Sequence, residues 1–478
     1  MKKLVNKYDS LSAPVKASIW FTICNIMQKG ISMITVPIFT RLLTAEQYGI
    51  YSIYQSWYSI IGVFATLNLY YGVFNNGMIK YEKDKNNFTS SIQGLTTTVT
   101  AILLIIYLLS IDFWNEKLGL TTLLVLVMFL DLFFTPAYSF WSARQRFEYR
   151  YKNLVFVTLF ITISSPIIGI ASVILSTYKV EARIISFVLI QICVGIFFYS
   201  LNLYRGKSFF NKKYWIYALK FNLPLIPHYL SQSILNQSDR IMISSIIGER
   251  QAAIYSVAYS VSTLMLLVTS AINSSFIPYT YKCIRDRNYI GLKDSASFLI
   301  TLVGVSSVLI ISFGPEIIRL FAPMEYFEAI WVIPPVAISV YFMFLYPIFG
   351  NIEFYFEANN FVMWASIGGA VMNIILNFIF IKQFGYIAAG YTTLFCYILF
   401  AFGHYLFMKK LLSQKLPDTH IYNIRYIFFF SLVLLIAMFL IVAVYPYILI
   451  RYTIILVIFI GLFLNRKKIM DSIVIIKK

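Results

Sequence analysis

The chain has 478 residues, of which 59% are hydrophobic and only 12% charged, with a formal net charge of +19. A soluble domain of this size carries about one-quarter charged residues. No globular core could hide so much apolar surface from water, so lipid must be the solvent for much of the chain.

A membrane-spanning helix needs roughly 20 mostly apolar residues. Fourteen such runs follow one another, at 17–38, 48–73, 90–111, 118–141, 153–176, 184–204, 217–247, 251–281, 296–313, 327–350, 361–381, 385–408, 425–445 and 447–464. The last two flank Pro446 and also fit a single re-entrant hairpin. Prolines inside the runs (Pro37, Pro166, Pro224, Pro227, Pro347) are tolerable in membrane helices, where neighbours and water satisfy the freed backbone groups. The runs are too long and unbroken for barrel strands. The predicted fold class is therefore an all-α polytopic membrane protein with about fourteen transmembrane helices. No short apolar region with a cleavage site precedes the first run, which reads as an uncleaved span.

Loop charge gives these spans an orientation. With a cytoplasmic N-terminus, inside segments hold 29 of the 39 Lys and Arg, and outside loops hold eight: Arg41, Lys117, Lys179, Arg183, Arg250, Arg319, Lys382 and Arg451. Positive charge concentrates on cytoplasmic segments of membrane proteins, so both termini are expected in the cytoplasm. Basic residues spread over many loops argue against nucleic acid as a partner. Glu353 and Glu357 make one inside loop acidic and read as solvated; His404 and His420 lie towards the same side. Cys24, Cys193, Cys283 and Cys396 are scattered without ligand spacing and read as packing residues, with no disulfide, zinc or cofactor.

Polar residues interrupt the spans at a few points. A charge at the bilayer centre costs roughly 2.5–3.5 kcal/mol on insertion scales and needs a reason. In the first span Asn25, Gln28, Lys29 and Ser32 fall within one arc of about 100°. Asp131 lies mid-membrane in the fourth. In the seventh, His228, Gln232, Asn236, Arg240 and Ser244 recur every fourth residue as a winding polar stripe, with Asp239 near its His228 edge. Adjacent residues on a helix do not face each other, so Asp239 and Arg240 must find partners elsewhere.

The stretch LLTAEQYGIYSIYQS at 42–56 is echoed by IIGERQAAIYSVAYS at 246–260, an offset of 204 residues. Gln47/Gln251, Ile50/Ile254, Tyr51/Tyr255, Ser52/Ser256 and Ser56/Ser260 are identical pairs. Both copies lead from an outside loop into an even-numbered span. Six intervening helices preserve orientation, so the repeat is parallel, a pattern typical of secondary transporters.

The segment from Phe221 to Ser262, FNLPLIPHYLSQSILNQSDRIMISSIIGERQAAIYSVAYSVS, resembles the seventh and eighth helices of bacterial Wzx-type polysaccharide flippases. These belong to the multidrug/oligosaccharidyl-lipid/polysaccharide exporter superfamily. The LPLIP kink, the Asp239-Arg240 pair and the turn holding Gly248, Ala253, Tyr255, Ser256, Ala258 and Tyr259 carry the likeness. PIFTRLLTAEQYGIYS and GPEIIRLFAPMEYFEAI are similar at their own turns. The resemblance implies two six-helix lobes (1–205 and 206–410) facing a central cavity, followed by two further helices and a tail at 411–478. It also implies transfer of an oligosaccharide on undecaprenyl diphosphate from the cytoplasmic to the outer leaflet, for O-antigen or capsule assembly.

On that basis Lys29 and Arg240 are expected to meet the diphosphate in a water-filled cavity, with Asn25, His228, Gln232 and Asn236 beside them. Arginine suits phosphate through its planar fork and lysine as a point charge. Interhelical ion pairs that fix the lobes are the competing reading. Asp131 and Asp239 are candidates for a coupling Na+ or proton, although Asp131 could equally pair with Lys29. Arg41 and Arg319 read as snorkelling to the interface. No Walker A sequence or nucleotide domain is present, so no ATP hydrolysis and no enzyme activity are expected. A polysaccharide polymerase is the expected pathway neighbour, and a cation-coupled drug exporter is the alternative transport function. A membrane glycosyltransferase or polymerase is the alternative from another class.

Overall fold

Every regular element among the described residues is a helix, which is what lipid demands of a backbone that water cannot satisfy. The structure, a computed structural model, describes residues 12–262, 264–417 and 419–466. Lys2, Lys3 and Lys7, and Lys467, Lys468, Lys477 and Lys478, counted above as inside charges, lie outside the described residues.

In chain order the helices are α1 (Ala13–Leu42), α2 (Ala45–Thr66), α3 (Gly72–Lys80), α4 (Lys85–Leu108), α5 (Ile111–Leu118), α6 (Thr122–Phe147), α7 (Tyr151–Leu175), α8 (Lys179–Gly206), α9 (Lys212–Asn222) and α10 (Ile226–Ile246). They continue with α11 (Glu249–Ser262), α12 (Leu264–Arg285), α13 (Tyr289–Ser312), α14 (Gly314–Phe321), α15 (Ile333–Tyr355), α16 (Asn359–Phe384), α17 (Ala388–Lys415), α18 (Ile424–Ala443) and α19 (Ile448–Leu464). Ten helical stretches are long and apolar enough to cross a membrane, and α19 is apolar but shorter. The chain is an all-α polytopic membrane protein. Three long helices, α1, α2 and α10, fall outside the apolar set because they carry the polar residues discussed below. Large apolar side chains stand exposed along the lipid-facing helices, among them Phe156 at 73%, Leu456 at 59% and Phe439 at 57%. In water that arrangement would aggregate.

The structure divides the run at 217–247. Residues 212–222 form the separate helix α9, a 3-10 turn covers Leu223–Leu225, and α10 starts only at Ile226. Pro224 and Pro227 lack the amide hydrogens that one continuous helix would need there. The run at 251–281 falls within one apolar stretch, Glu249–Arg285, long enough to cross a membrane.

The chain forms two compact units, Met1–Gln237 and Ser238–Lys478. In the first, α2, α4, α6 and α8 bury Ile53, Tyr54, Val125, Met128 and Ile184. Close backbone approach is possible where glycine stands. A Cβ on Gly195 of α8 would lie 2.7 Å from the Phe134 carbonyl carbon of α6. In the second unit, Tyr341 of α15 and Ser431 of α18 share a hydrogen bond of 2.9 Å, and the Tyr445 hydroxyl donates to the Ile311 carbonyl at 2.9 Å.

Two cations assigned to outside loops are buried on helices. Arg183, on α8, is 5% exposed, and Arg451, on α19, is 2% exposed and reaches Glu316 at 2.5 Å. Apolar flanks hide such residues from a reading based on loop charge. Cys24, Cys283 and Cys396 are buried as packing residues, whereas Cys193 is exposed on α8. All four thiols are free.

The repeat is visible in local geometry. Thr44 and Gly248 each immediately precede a helix, α2 and α11. Thr44 and Gln47 form a reciprocal capping box, each side chain bonding the other's backbone amide. Within the helices, Ser52 and Ser256 both donate to the carbonyl four residues back, as do Ser56 and Ser260.

Candidate functional site

Asn25, Lys29 and Ser32 lie exposed on α1, inside a helix otherwise long enough to cross the membrane. Neither Asn25 nor Lys29 makes a hydrogen bond or ion pair with the described residues. A chain that merely packed α1 would not leave an ammonium in this position. Gln28 lines a cavity of about 230 Å³ inside the first unit with Thr135, Tyr138, Thr158 and Gln191.

Asp131 does not pair with Lys29. Its carboxylate is 2% exposed and accepts hydrogen bonds from the hydroxyls of Thr135, one turn along α6, and Tyr58 of α2. Thr135 thus bonds Asp131 while also lining the cavity that holds Gln28.

On α10, His228, Gln232, Asn236 and Arg240 are all half-buried. The Asn236 side chain donates to the Gln232 carbonyl at 2.7 Å, and His228 Nδ1 is buried without a partner among the described residues. The Arg240 guanidinium lies over the Tyr259 ring at 4.4 Å. That contact keeps its charge while shielding one face.

Asp239 points away from the stripe and is 2% exposed. Its carboxylate accepts from the Tyr255 hydroxyl at 2.5 Å, from Asn377 Nδ2 at 2.6 Å and from the Thr393 hydroxyl at 2.9 Å. Asn373 extends this network, accepting from Ser238 at 2.9 Å and donating to Thr393 at 3.1 Å. The partners come from α10, α11, α16 and α17, so one carboxylate knits four helices of the second unit together. All three of its hydrogen-bond donors are uncharged.

Glu353 is not solvated. It is 0% exposed on α15 and faces His404 of α17, also 0% exposed, whose Nδ1 lies 2.9 and 3.0 Å from its two oxygens. Rings of Tyr346, Phe361 and Phe400 surround the imidazole at 4.5 to 5.3 Å. Glu357 is exposed as expected. Among the described residues no group of three or more His, Cys, Asp or Glu could hold a metal ion.

A profile of the polysaccharide biosynthesis protein family matches residues 15–283, more than half of the chain. The chain belongs to that family. Lsg locus protein 1 of Haemophilus influenzae is 23% identical over 365 residues, covering 74% of this chain and 87% of its own. The fold is similar to that of the lipid II flippase MurJ in an inward closed conformation. The TM-score is 0.70 at 19% identity, with 94% of this chain and 100% of MurJ covered. An inward-facing multidrug resistance transporter of the MATE family and the same exporter superfamily superposes with a TM-score of 0.60 at 14% identity. That match covers 84% of this chain and 100% of the other. The resemblance to polysaccharide-pathway membrane proteins drawn from 221–262 is borne out by the family match, and the fold is similar to those of these two transporters.

For this polysaccharide-biosynthesis chain, sequence reasoning had located Asp239 without Tyr255, Asn377 and Thr393. Asn373 and Asn377 stand four apart within an apolar run, the spacing that puts both on one helix face. That signal was available. Nothing in the sequence pairs Glu353 with His404.

Proposed function

We propose that this protein is a flippase that moves oligosaccharide repeat units on undecaprenyl diphosphate from the cytoplasmic to the outer leaflet of the bacterial inner membrane, by alternating access, for surface polysaccharide assembly. The observation that carries the reading is Lys29, an ammonium exposed within α1 and without a partner among the described residues, beside Asn25 and Ser32. An exposed cation in a membrane-length helix suits an anionic head group, and the family match supports a sugar polymer as its destination. In this reading Arg240, held over Tyr259, is the second phosphate contact, with His228, Gln232 and Asn236 along the same stripe. Asp131 and Asp239, each buried among hydroxyls and amides, are the residues at which Na+ or a proton couples to transport.

The test is genetic. Lys29→Ala and Arg240→Ala should each abolish surface polysaccharide while protein level in the membrane is unchanged, and lipid-linked repeat units should accumulate on the cytoplasmic leaflet. Normal polysaccharide in either variant removes that residue from the site. A second reading, a cation-coupled multidrug exporter, draws on the likeness to the MATE transporter. Drug resistance conferred by the wild-type chain, with polysaccharide unaffected by its deletion, would favour it.

A further inference from the structure

In the second unit the start of α13, the end of α17 and the start of α18 close around a cavity of about 720 Å³. Lys293 enters it from α13, Lys409 from α17 and Arg425 from α18, and His420 stands in the segment joining α17 to α18. We propose that this cavity binds the phosphate of an anionic glycerophospholipid at the membrane surface. The inference requires only that these helices cross the bilayer, and does not rest on the transport reading.

Three features carry it. Among the described residues no Asp or Glu lines the cavity, and none of Lys293, Lys409 and Arg425 enters an ion pair. Among the described residues, then, the three cations line the cavity with no carboxylate facing them. Exposure agrees, because Lys409 and Arg425 are exposed and Lys293 is half-buried. Finally, the position is interfacial. Three apolar helices end here together, so a lipid head group lies at the cavity mouth while its acyl chains stay in the bilayer.

Shape and chemistry fit the same ligand. The volume falls within the range of small-molecule sites, roughly 300–1,000 Å³. Arginine supplies a planar fork for phosphate oxygens and the lysines supply point charges. Met408, Leu412 and Ile421 give the walls an apolar part suited to a glycerol ester. The wall is anchored, since the Tyr422 hydroxyl donates to the Ile348 carbonyl at 2.8 Å and the Asn423 side chain caps α18 by accepting from the Tyr426 amide. Basic pockets between membrane helices are a known way of holding anionic head groups, with each Lys or Arg near the surface contributing about 1 kcal/mol. Lys410 and Lys415 share the end of α17 but do not line the cavity, which separates this site from general positive charge.

Native mass spectrometry of the purified full chain, exchanged into mixed micelles of phosphatidylglycerol and phosphatidylcholine, tests the proposal. The wild type should retain phosphatidylglycerol selectively. Lys293→Gln/Lys409→Gln/Arg425→Gln should lower that retention on the order of a hundredfold, the product of three such contributions. Lys410→Gln/Lys415→Gln should keep it. Arg425→Lys in the wild-type background should keep most of it, a readout that survives if the triple variant fails to fold. Equal retention by the wild type and a folded triple variant, equal loss from the Lys410/Lys415 control, or loss of all retention in Arg425→Lys would each overturn the site. Displacement of the lipid by millimolar inorganic phosphate would overturn the lipid as its ligand, whereas persistence in that buffer supports it.

Discussion

Replacing Glu353 by leucine would leave the His404 imidazole fully buried with its carboxylate partner gone. His404→Phe would do the converse, stranding a carboxylate among Tyr346, Phe361 and Phe400. Both side chains are 0% exposed and the imidazole nitrogen sits 2.9 Å from a carboxylate oxygen, so neither orphan can turn to water. Breaking a buried pair by removing one member costs about 3–5 kcal/mol, whereas replacing both members by apolar groups of similar volume is often close to neutral. Each single substitution should therefore destabilise the protein by about 3 kcal/mol or more. Glu353→Leu/His404→Phe, whose new phenyl ring enters an existing aromatic cage, should cost less than either. The double-mutant coupling is then at least about 3 kcal/mol, far above the ~0.5 kcal/mol within which independent sites add. Equilibrium unfolding of the four proteins in mixed micelles, with denaturant added stepwise, measures it. Additive single effects would refute the claim that the two groups act as one buried unit, and an exposed, solvated Glu353 would give no destabilisation at all.

Three further outcomes follow from the geometry. Tyr255→Phe removes a hydroxyl that donates to the Asp239 carboxylate, a bond to a charged group worth about 1.5–3 kcal/mol. Tyr51→Phe loses a longer bond, accepted from the charged Arg183 guanidinium at 3.2 Å, and keeps the ring face beneath that cation, so it should cost less in the same unfolding assay. Gly195→Ala should sharply lower the amount of folded protein recovered from membranes, because its Cβ meets the α6 backbone, whereas Gly403→Ala, with open space around it, should not. The Tyr214 hydroxyl of α9 donates to Asp84, and burial together with that carboxylate pushes its pKa up to about 12. A raised folded-state value means the contribution is complete below about pH 10, the ordinary tyrosine value, and is lost as pH rises towards 12. The alkaline fall of the thermal midpoint should accordingly be shallower in Tyr214→Phe, and superimposable pH profiles would dismiss the effect.

The long apolar runs made the fold readable because lipid leaves the backbone no alternative to helix and because the runs cannot be confused with strands. What stayed hidden depended on contacts far apart in the chain. Asp239 meets Asn377 and Thr393 across 138 and 154 residues, and Glu353 meets His404 across 51. Hydropathy averages over such pairs. It put Glu353 with Glu357 at a helix end, although only Glu357 is exposed. The same averaging joined the end of α9 to α10, because apolar residues run on across Leu223–Leu225 while Pro224 and Pro227 break the helix there. Lys29 was legible for the opposite reason, since a lone ammonium deep in a run needs no partner to be noticed.

The internal repeat shows which features the fold itself fixes. Thr44 and Gly248 stand at the same point before their helices, and the serine hydroxyls of both copies return to the same carbonyls. The serine bonds are kept in both copies, while the Thr44 side-chain cap has no counterpart at Gly248. The tyrosine at the shared position is treated oppositely in the two units. Tyr51 accepts from Arg183, which is enclosed by the rings of Phe39, Tyr51 and Phe187 at 3.9, 4.8 and 5.4 Å, whereas Tyr255 donates to Asp239. A phenol can do either, because its oxygen is both donor and acceptor. The scaffold therefore tolerates a buried cation at one copy and a buried carboxylate at the other without altering the helix that presents the ring. Charge in the two units can diverge while their packing stays paired, and a residue's role in one unit cannot be assigned from its counterpart in the other.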